Sequence, residues 1–378
     1  MPDVFINHIS AFLPNAPIGN SEMEAVLGDI GGVPSRVKHM ILRSNAIVSR
    51  HYAIDPATRE ATHSTADMAA IAVRELLTQY SETPGVLACA TSYPDQMLPG
   101  HGVMVHGLLP ELGACEVASL AGVCVAGMAA MKYAYQAVKS GEHTDAIACA
   151  AEAASAIMRS ENFTREIEQK QLDNAKPDIG FAKDFLRWML SDGAGAVHLS
   201  HRPNAHGISL KIRWIELLSY AHEMPVCMYA GGDVVNGAFA SWKSFSPGER
   251  DAQSLMAIKQ DVKLLNEHII HYTVEKPLHT LIAKHDLNSD AIDWFLPHYS
   301  SGFFRDKVAD GLTRAGLLIA QEKWFTNLAT KGNTGSASIY IMLEELVRTQ
   351  ELKRGNTILC YIPESGRFSS CFMLLEVV

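Results

Sequence analysis

The chain lacks any paired set of cysteines. Seven are spread over 378 residues, at 89, 115, 124, 149, 227, 360 and 371, with no Cys-x-x-Cys among them. An odd, scattered set argues against a disulfide framework and against a zinc site, and suits a reducing cytoplasm. The chain also lacks a basic excess. Its 32 Lys and Arg stand against 41 Asp and Glu, a net charge of −9, which argues against a general nucleic-acid binder. No apolar run approaches the roughly 18 residues of a membrane span. Met1-Pro2-Asp3-Val4-Phe5-Ile6-Asn7 has neither the basic region nor the apolar core of a signal peptide. The expectation is a cytoplasmic protein with no metal and no cofactor, touching neither nucleic acid nor membrane.

What is present is ordinary for a globular protein of one large or two medium domains: 48% hydrophobic and 19% charged residues. Residues 4–12 read as a first strand. Ser21, with Glu24 three residues on, reads as a capping box opening a short helix to Leu27. Residues 34–52 are the most basic stretch, either a solvated surface loop or a landing site for phosphate or an acidic carrier. Thr65 is expected to cap a helix over 66–79. Buried strands are expected at 85–90 and 145–151 and a further strand at 116–120, with a helix from Cys124 to Lys139 stopped by Gly141. This β-α-β-α-β order predicts a parallel or mixed layered sheet. Residues 161–188 read as an excursion over a site mouth or a dimer contact. Ser191-Asp192-Gly193-Ala194-Gly195-Ala196-Val197 is a glycine-punctuated strand suited to close backbone packing.

A second half opens near Gly207. It has a strand over 208–217, a loop-rich insertion over 220–242 and helical residues over 253–287. A strand over 291–296 and a helix over 305–321 follow. Asn333 then opens a helix reaching about Leu352, and strands over 356–362 and 371–378 close the chain. A small-residue helix start, a helix, a glycine and a buried strand follow Cys124 and again Asn333, an architectural duplication.

Three polar residues stand at element junctions: Cys124 and Asn333 at helix starts, and His298 just after a strand. Each also suits a structural role. A cysteine at a helix N-terminus feels the macrodipole and free N–H groups, which favour the thiolate. Together the three suit thioester chemistry. Cys124 would take an acyl group, while a neutral His298 and the Asn333 amide donate to a second thioester as it becomes an enolate.

Four segments, in order, resemble the thiolase superfamily and within it the ketoacyl-ACP synthase III-like condensing enzymes. They are Gly122-Val123-Cys124, Ser191-Asp192-Gly193-Ala194-Gly195-Ala196-Val197, Pro297-His298, and Lys331-Gly332-Asn333-Thr334-Gly335-Ser336-Ala337-Ser338-Ile339. The resemblance implies an α/β thiolase fold, two fused βαβαβαββ halves over 1–205 and 206–378 in five α-β-α-β-α layers, and a homodimer. It carries a Cys-His-Asn triad onto Cys124, His298 and Asn333. It departs from the family pattern at His39, where acyl-CoA-primed members have Trp, which favours an acyl carrier protein over acyl-CoA as substrate carrier. It departs again at Tyr299-Ser300-Ser301 and at Gly366-Arg367-Phe368-Ser369-Ser370, a turn expected to share an oxyanion hole with the Cys124 N–H.

Ile41-Leu42-Arg43-Ser44-Asn45-Ala46-Ile47 and the chain length are most similar to the subgroup that builds dialkylresorcinol and stilbene precursors. Those enzymes join a β-ketoacyl to an α,β-unsaturated acyl thioester and close a 1,3-cyclohexanedione. Such chemistry needs a general base. Glu152, ending the strand after the Cys124 helix, is the candidate; the other reading is an acid fixing the dimer interface. The alternatives are a decarboxylative synthase III using malonyl-ACP, a plain acyltransferase, and a non-catalytic partner subunit, whose usual mark, loss of the cysteine, is absent. A papain-like hydrolase lacks its Cys-Gly-Ser-Cys-Trp pattern here.

Overall fold

The computed structural model describes residues 2–32, 34, 35, 37–172 and 184–378. Nine strands form one sheet: β1 (Phe5–Phe12), β2 (Val86–Thr91), β3 (Glu116–Ala121), β4 (Asp145–Glu152), β5 (Gly193–Ser200), β6 (Leu210–Ser219), β7 (Trp294–Pro297), β8 (Thr357–Glu364) and β9 (Ser369–Val377), in the spatial order β7-β8-β9-β6-β1-β5-β4-β2-β3. The sheet is two half-sheets joined at a narrow seam, where β1 and β6 share two residue pairs, Phe5 with Lys211 and Ile6 with Leu210. The halves repeat one topology. In the first, β1-β5-β4-β2 pair antiparallel, antiparallel, parallel; in the second, β6-β9-β8-β7 do the same. The duplication expected from the sequence is visible in strand order. The first half adds β3 as a parallel edge strand. The second has at that edge only an isolated bridge between Phe295 and Trp324.

The main helices are α1 (Met23–Leu27), α2 (Lys38–Asn45), α3 (Thr65–Leu77), α4 (His101–Gly107), α5 (Val125–Lys139), α6 (Thr164–Leu172), α7 (Val262–Ile270), α8 (Lys276–His285), α9 (Arg305–Arg314) and α10 (Ser338–Thr349), besides other short helices and turns. Burial of apolar surface, about 25 cal/mol per Å2, stacks them in layers. The largest core joins Met128, Met131 and Ala134 of α5 and Ile339, Met342 and Leu346 of α10 to strands of both half-sheets. A second core packs α3 and α4 on the outer face of the first half-sheet. A third packs α7, α8 and α9 on the outer face of the second. The five-layer α-β-α-β-α stack follows, with α5 and α10 in the middle.

Small residues let that middle layer close. A Cβ on Gly127 would lie 2.1 Å from the Ser336 carbonyl oxygen, and one on Gly195 would lie 2.4 Å from Tyr340 Cβ. Tyr340 Oη donates to the Gly127 carbonyl at 2.7 Å. The glycine-punctuated strand thus serves the close packing its sequence suggests. Its Asp192 accepts from Ala53 N at 2.7 Å and Ser155 N at 2.9 Å.

Local readings change in several places. Asn333 does not itself open a helix: it forms an isolated bridge with Leu190, and α10 begins at Ser338 after a 3-10 turn over Gly335–Ala337. Ser21 caps nothing: α1 starts after Glu22, and Glu24 instead binds Lys38 Nζ at 2.7 Å. The cap of α3 is Ser64, in a capping box with Asp67, one residue before the expected Thr65. The helix at 305 ends at Arg314 rather than 321 because Gly316 turns the chain at φ +84°. The basic stretch at 34–52 is not a solvated loop: it contains α2, and its Arg50 is fully buried against Asn20 Oδ1 and the Trp188 carbonyl. His39 and Arg43 stay exposed. Of the 161–188 excursion, residues 173–183 lie outside the described set.

Candidate active site

Cys124 is the N-cap of α5, at φ −57° and ψ −33°. It sits where two cavities meet. One, about 740 Å3 and partly open to solvent, is lined by Cys124, Asn333 and Glu152 among polar groups, with Leu186, Met189, Met228 and Ile258 on its apolar side. The other, about 420 Å3, is lined by Cys124 and His298 together with Leu265, Ile269, Phe304, Val308 and Tyr361. Ser300 and Ser365 line both. The three other residues singled out from the sequence, Glu152 from β4, His298 from the end of β7 and Asn333 from the approach to α10, therefore each share a cavity with Cys124 at the start of α5.

Each is held by local hydrogen bonds. His298 N donates to the Tyr361 carbonyl at 2.8 Å, extending the β7–β8 ladder to the site. Burial lowers the imidazole pKa to about 4, so the ring is neutral at pH 7 and one nitrogen carries a proton to donate. The backbone of Asn333 is clamped to the first half: its N donates to the Met189 carbonyl at 3.0 Å and its carbonyl accepts from Ser191 N at 2.9 Å. Its Oδ1 accepts from Gly335 N at 3.0 Å. The amide Nδ2 is left without a protein acceptor among the described residues.

Glu152 is buried at the end of β4. Its Oε1 accepts from Ser92 N at 3.1 Å, Ser92 Oγ at 2.6 Å, Ser336 N at 3.0 Å and Ser336 Oγ. Its Oε2 accepts only a longer bond, 3.3 Å, from Ser92 N. Burial lifts this carboxyl above its usual range, and the serine donors pull it only part of the way back. The result is a fixed carboxylate with one oxygen saturated and the other nearly bare.

The sulfur itself departs from expectation. A helix N-terminus ordinarily favours a thiolate, yet the Cys124 thiol is pushed up. Burial is the larger cause, followed by the nearby Glu364 and Glu152 carboxylates; the residue's own amide opposes them weakly. Glu364 escaped the sequence reading. It ends β8, and its Oε2 accepts from Val123 N at 3.0 Å and Val125 N at 3.2 Å, the amides on either side of Cys124. The available signal was an acid closing an otherwise apolar strand just before Gly366. The described lining of the two cavities reaches Ser365 but includes no residue of the 366–370 turn; the Gly366 carbonyl accepts from Cys227 N at 2.9 Å.

The family described as 3-oxoacyl-[acyl-carrier-protein (ACP)] synthase III C terminal matches residues 282–363. A β-ketoacyl-[acyl-carrier-protein] synthase III of Streptococcus mutans is 25% identical over 303 residues, 79% of this chain and 80% of the relative. One from Streptococcus pyogenes is 20% identical over 355 residues, 93% and 92% of the two chains. Among solved structures, the tetronic acid condensing enzyme AbyA1 superposes with TM-score 0.74 at 16% identity, covering 99% of both chains. Xanthomonas campestris OleA, a cysteine-to-serine form with bound lauric acid and lauroyl-CoA, gives 0.72 at 17%, with 99% of both chains covered. The 3-oxoacyl-[acyl-carrier-protein] synthase III of Aquifex aeolicus gives 0.71 at 18%, again over 99% of both. The chain has the fold of these enzymes, and its homologues are condensing enzymes of the synthase III kind. No described helix is long and apolar enough to cross a membrane.

Proposed function

We propose that the protein is a condensing enzyme that makes carbon–carbon bonds between two acyl thioesters through an acyl-Cys124 intermediate. One observation carries this: Cys124 lines both cavities, one shared with Asn333 and Glu152 and the other with His298. In the first step the Cys124 sulfur attacks the incoming thioester carbonyl and the carrier thiol leaves with the sulfur's proton. The apolar cavity beside His298 suits the acyl chain. In the second step a base removes an α-proton from a second thioester, and the neutral His298 and the Asn333 amide donate to its enolate oxygen. The enolate carbon attacks the acyl-Cys124 carbonyl, and the thiolate departs and is reprotonated.

The finer reading is a β-ketoacyl partner, an α,β-unsaturated acyl partner and closure to a 2,5-disubstituted 1,3-cyclohexanedione. Glu152 supports it: a buried carboxylate with a pKa raised by burial and one nearly bare oxygen lies in the cavity with Cys124 and Asn333. Acyl carrier protein is the proposed donor, meeting the exposed His39 and Arg43 of α2. A second copy of the chain would meet the exposed edge strand β3. Residues 1–205 would then supply the nucleophile and base, and 206–378 the enolate donors.

The test is incubation with acyl-ACP thioesters, reading the Cys124 peptide and the products by mass spectrometry. Wild type should carry an acyl adduct on Cys124, and C124A none; an adduct elsewhere overturns the proposal. E152Q should still acylate but form no ring; normal product would remove Glu152 from the mechanism. Release of CO2 from malonyl-ACP would select the decarboxylative alternative.

A further inference from the structure

The helix start at Cys124 carries a charge that the thioester mechanism above does not use. A 15-residue helix such as α5 presents free N–H groups at its first turn, and these ordinarily stabilise negative charge on an N-terminal sulfur. Here the second half of the chain inserts an acid among them. Glu364 reaches from the last residue of β8, and a single oxygen takes the amides of both Val123 and Val125. Gly366 eases the approach: a Cβ there would sit 3.2 Å from Glu364 Oε1. The amide between the two, that of Cys124, is left for its own sulfur.

We propose that Glu364 is a positioning residue that fixes the amides on either side of Cys124 and keeps a standing negative charge beside the sulfur, so that the resting nucleophile is a thiol. This rests on the reading of Cys124 as nucleophile and adds how its reactivity is set. The groups facing the sulfur are Glu364 from β8, Glu152 from β4 and His298 from the end of β7. His298 is neutral and offers no cation to offset two acids. Of the two acids, Glu152 has its Oε1 saturated by Ser92 and Ser336, whereas Glu364 bonds the residues that flank the sulfur. Burial raises the Glu364 carboxyl and the Val123 and Val125 amides pull it partly back; its charge acts on Cys124 more than that of Glu152 and opposes the helix field. A thiol at rest resists oxidation and stray electrophiles, both of which act on the thiolate.

The experiment is alkylation by iodoacetamide, which needs no acyl substrate and reads the thiolate fraction. The full-length wild type and E364Q would be alkylated across pH 6 to 10, and the Cys124 peptide quantified by mass spectrometry. Glutamine keeps a carbonyl oxygen for both amides and removes the charge. E364Q should alkylate at least about tenfold faster at pH 7, the effect of one pKa unit on the thiolate fraction, with its profile moved to lower pH and its thermal melt unchanged. E364A should show the same direction with a lower melting temperature, because it also loses the two amide bonds. An unchanged profile in a folded E364Q or E364A would leave Glu364 a backbone tie alone and overturn the proposal. A profile moved to higher pH would overturn it as well. Failure of acyl-ACP to acylate wild-type Cys124 is a separate result, which sinks the condensing reading and leaves the alkylation comparison standing.

Discussion

Substituting Gly127 by Ala is the sharpest probe of how the two halves build one site. The added Cβ would lie 2.1 Å from the Ser336 carbonyl oxygen, 3.1 Å from Ser336 C and 3.2 Å from Tyr340 Cε2. Two of these three obstacles are backbone, so no side chain can swing aside. Relief requires α5 and the 333–338 approach to α10 to separate by about 1 Å or more. Overpacking of this kind costs about 1–3 kcal/mol, and the better helix propensity of alanine returns about 1 kcal/mol at most. The larger effect falls on chemistry. Ser336 holds Glu152, and Asn333 lies three residues earlier, so the shift moves both relative to Cys124. A misplacement near 1 Å costs on the order of 100-fold in rate. Denaturant unfolding should show a loss of about 1–2 kcal/mol, and the condensation rate should fall about 100-fold with acylation of Cys124 largely kept. Gly248→Ala is the control, since nothing lies within 4 Å of a Cβ there. A Gly127→Ala protein with wild-type stability and condensation rate would refute rigid contact between the two helix starts.

Other outcomes follow from the same geometry. N333A should cut condensation by about 10²- to 10³-fold, as loss of one oxyanion donor does, while the acyl adduct on Cys124 still forms; equal loss of both steps, measured by burst kinetics, would place Asn333 in acylation instead. The depressed imidazole of His298 gives a pH signature. Its folded pKa of about 4 lies below the ordinary 6.5, so the unfolded chain binds the proton first. Stability is then fully present above pH 6.5 and falls as pH drops toward 4, by up to about 3 kcal/mol for this group. His101, also lowered to about 4 by burial, adds to the same slope. H298Q should flatten that part of the curve in denaturant unfolding measured between pH 7 and 4; an unchanged slope would mean that the ring is not buried neutral.

The positions of Cys124, His298 and Asn333 were legible because each stands at a local junction: Cys124 between the edge strand β3 and α5, His298 at the end of the buried β7, Asn333 between a short helix and the turn leading to α10. The β-α-β-α-β order was legible for the same reason: apolar runs and glycine stops are short-range signals. The charge state of Cys124 was not. The helix-start argument uses only neighbours in sequence, whereas the opposing carboxylates arrive from the ends of β4 and β8. Glu364 was hidden because its partners, Val123 and Val125, are some 240 residues away. Ser21 misled because a matching Ser-x-x-Glu spacing cannot show that Glu24 has a stronger partner in Lys38, a charged donor 14 residues on.

The division of the site between the two half-sheets bears on how the protein is made. During synthesis the sulfur of Cys124 leaves the ribosome about 170 residues ahead of His298 and 240 ahead of Glu364. A truncated chain ending before β7 would hold a cysteine with no imidazole or carboxamide to steady an enolate. On the proposed mechanism nascent and clipped chains cannot hold the enolate, and condensation becomes possible only once α10 has docked beside α5.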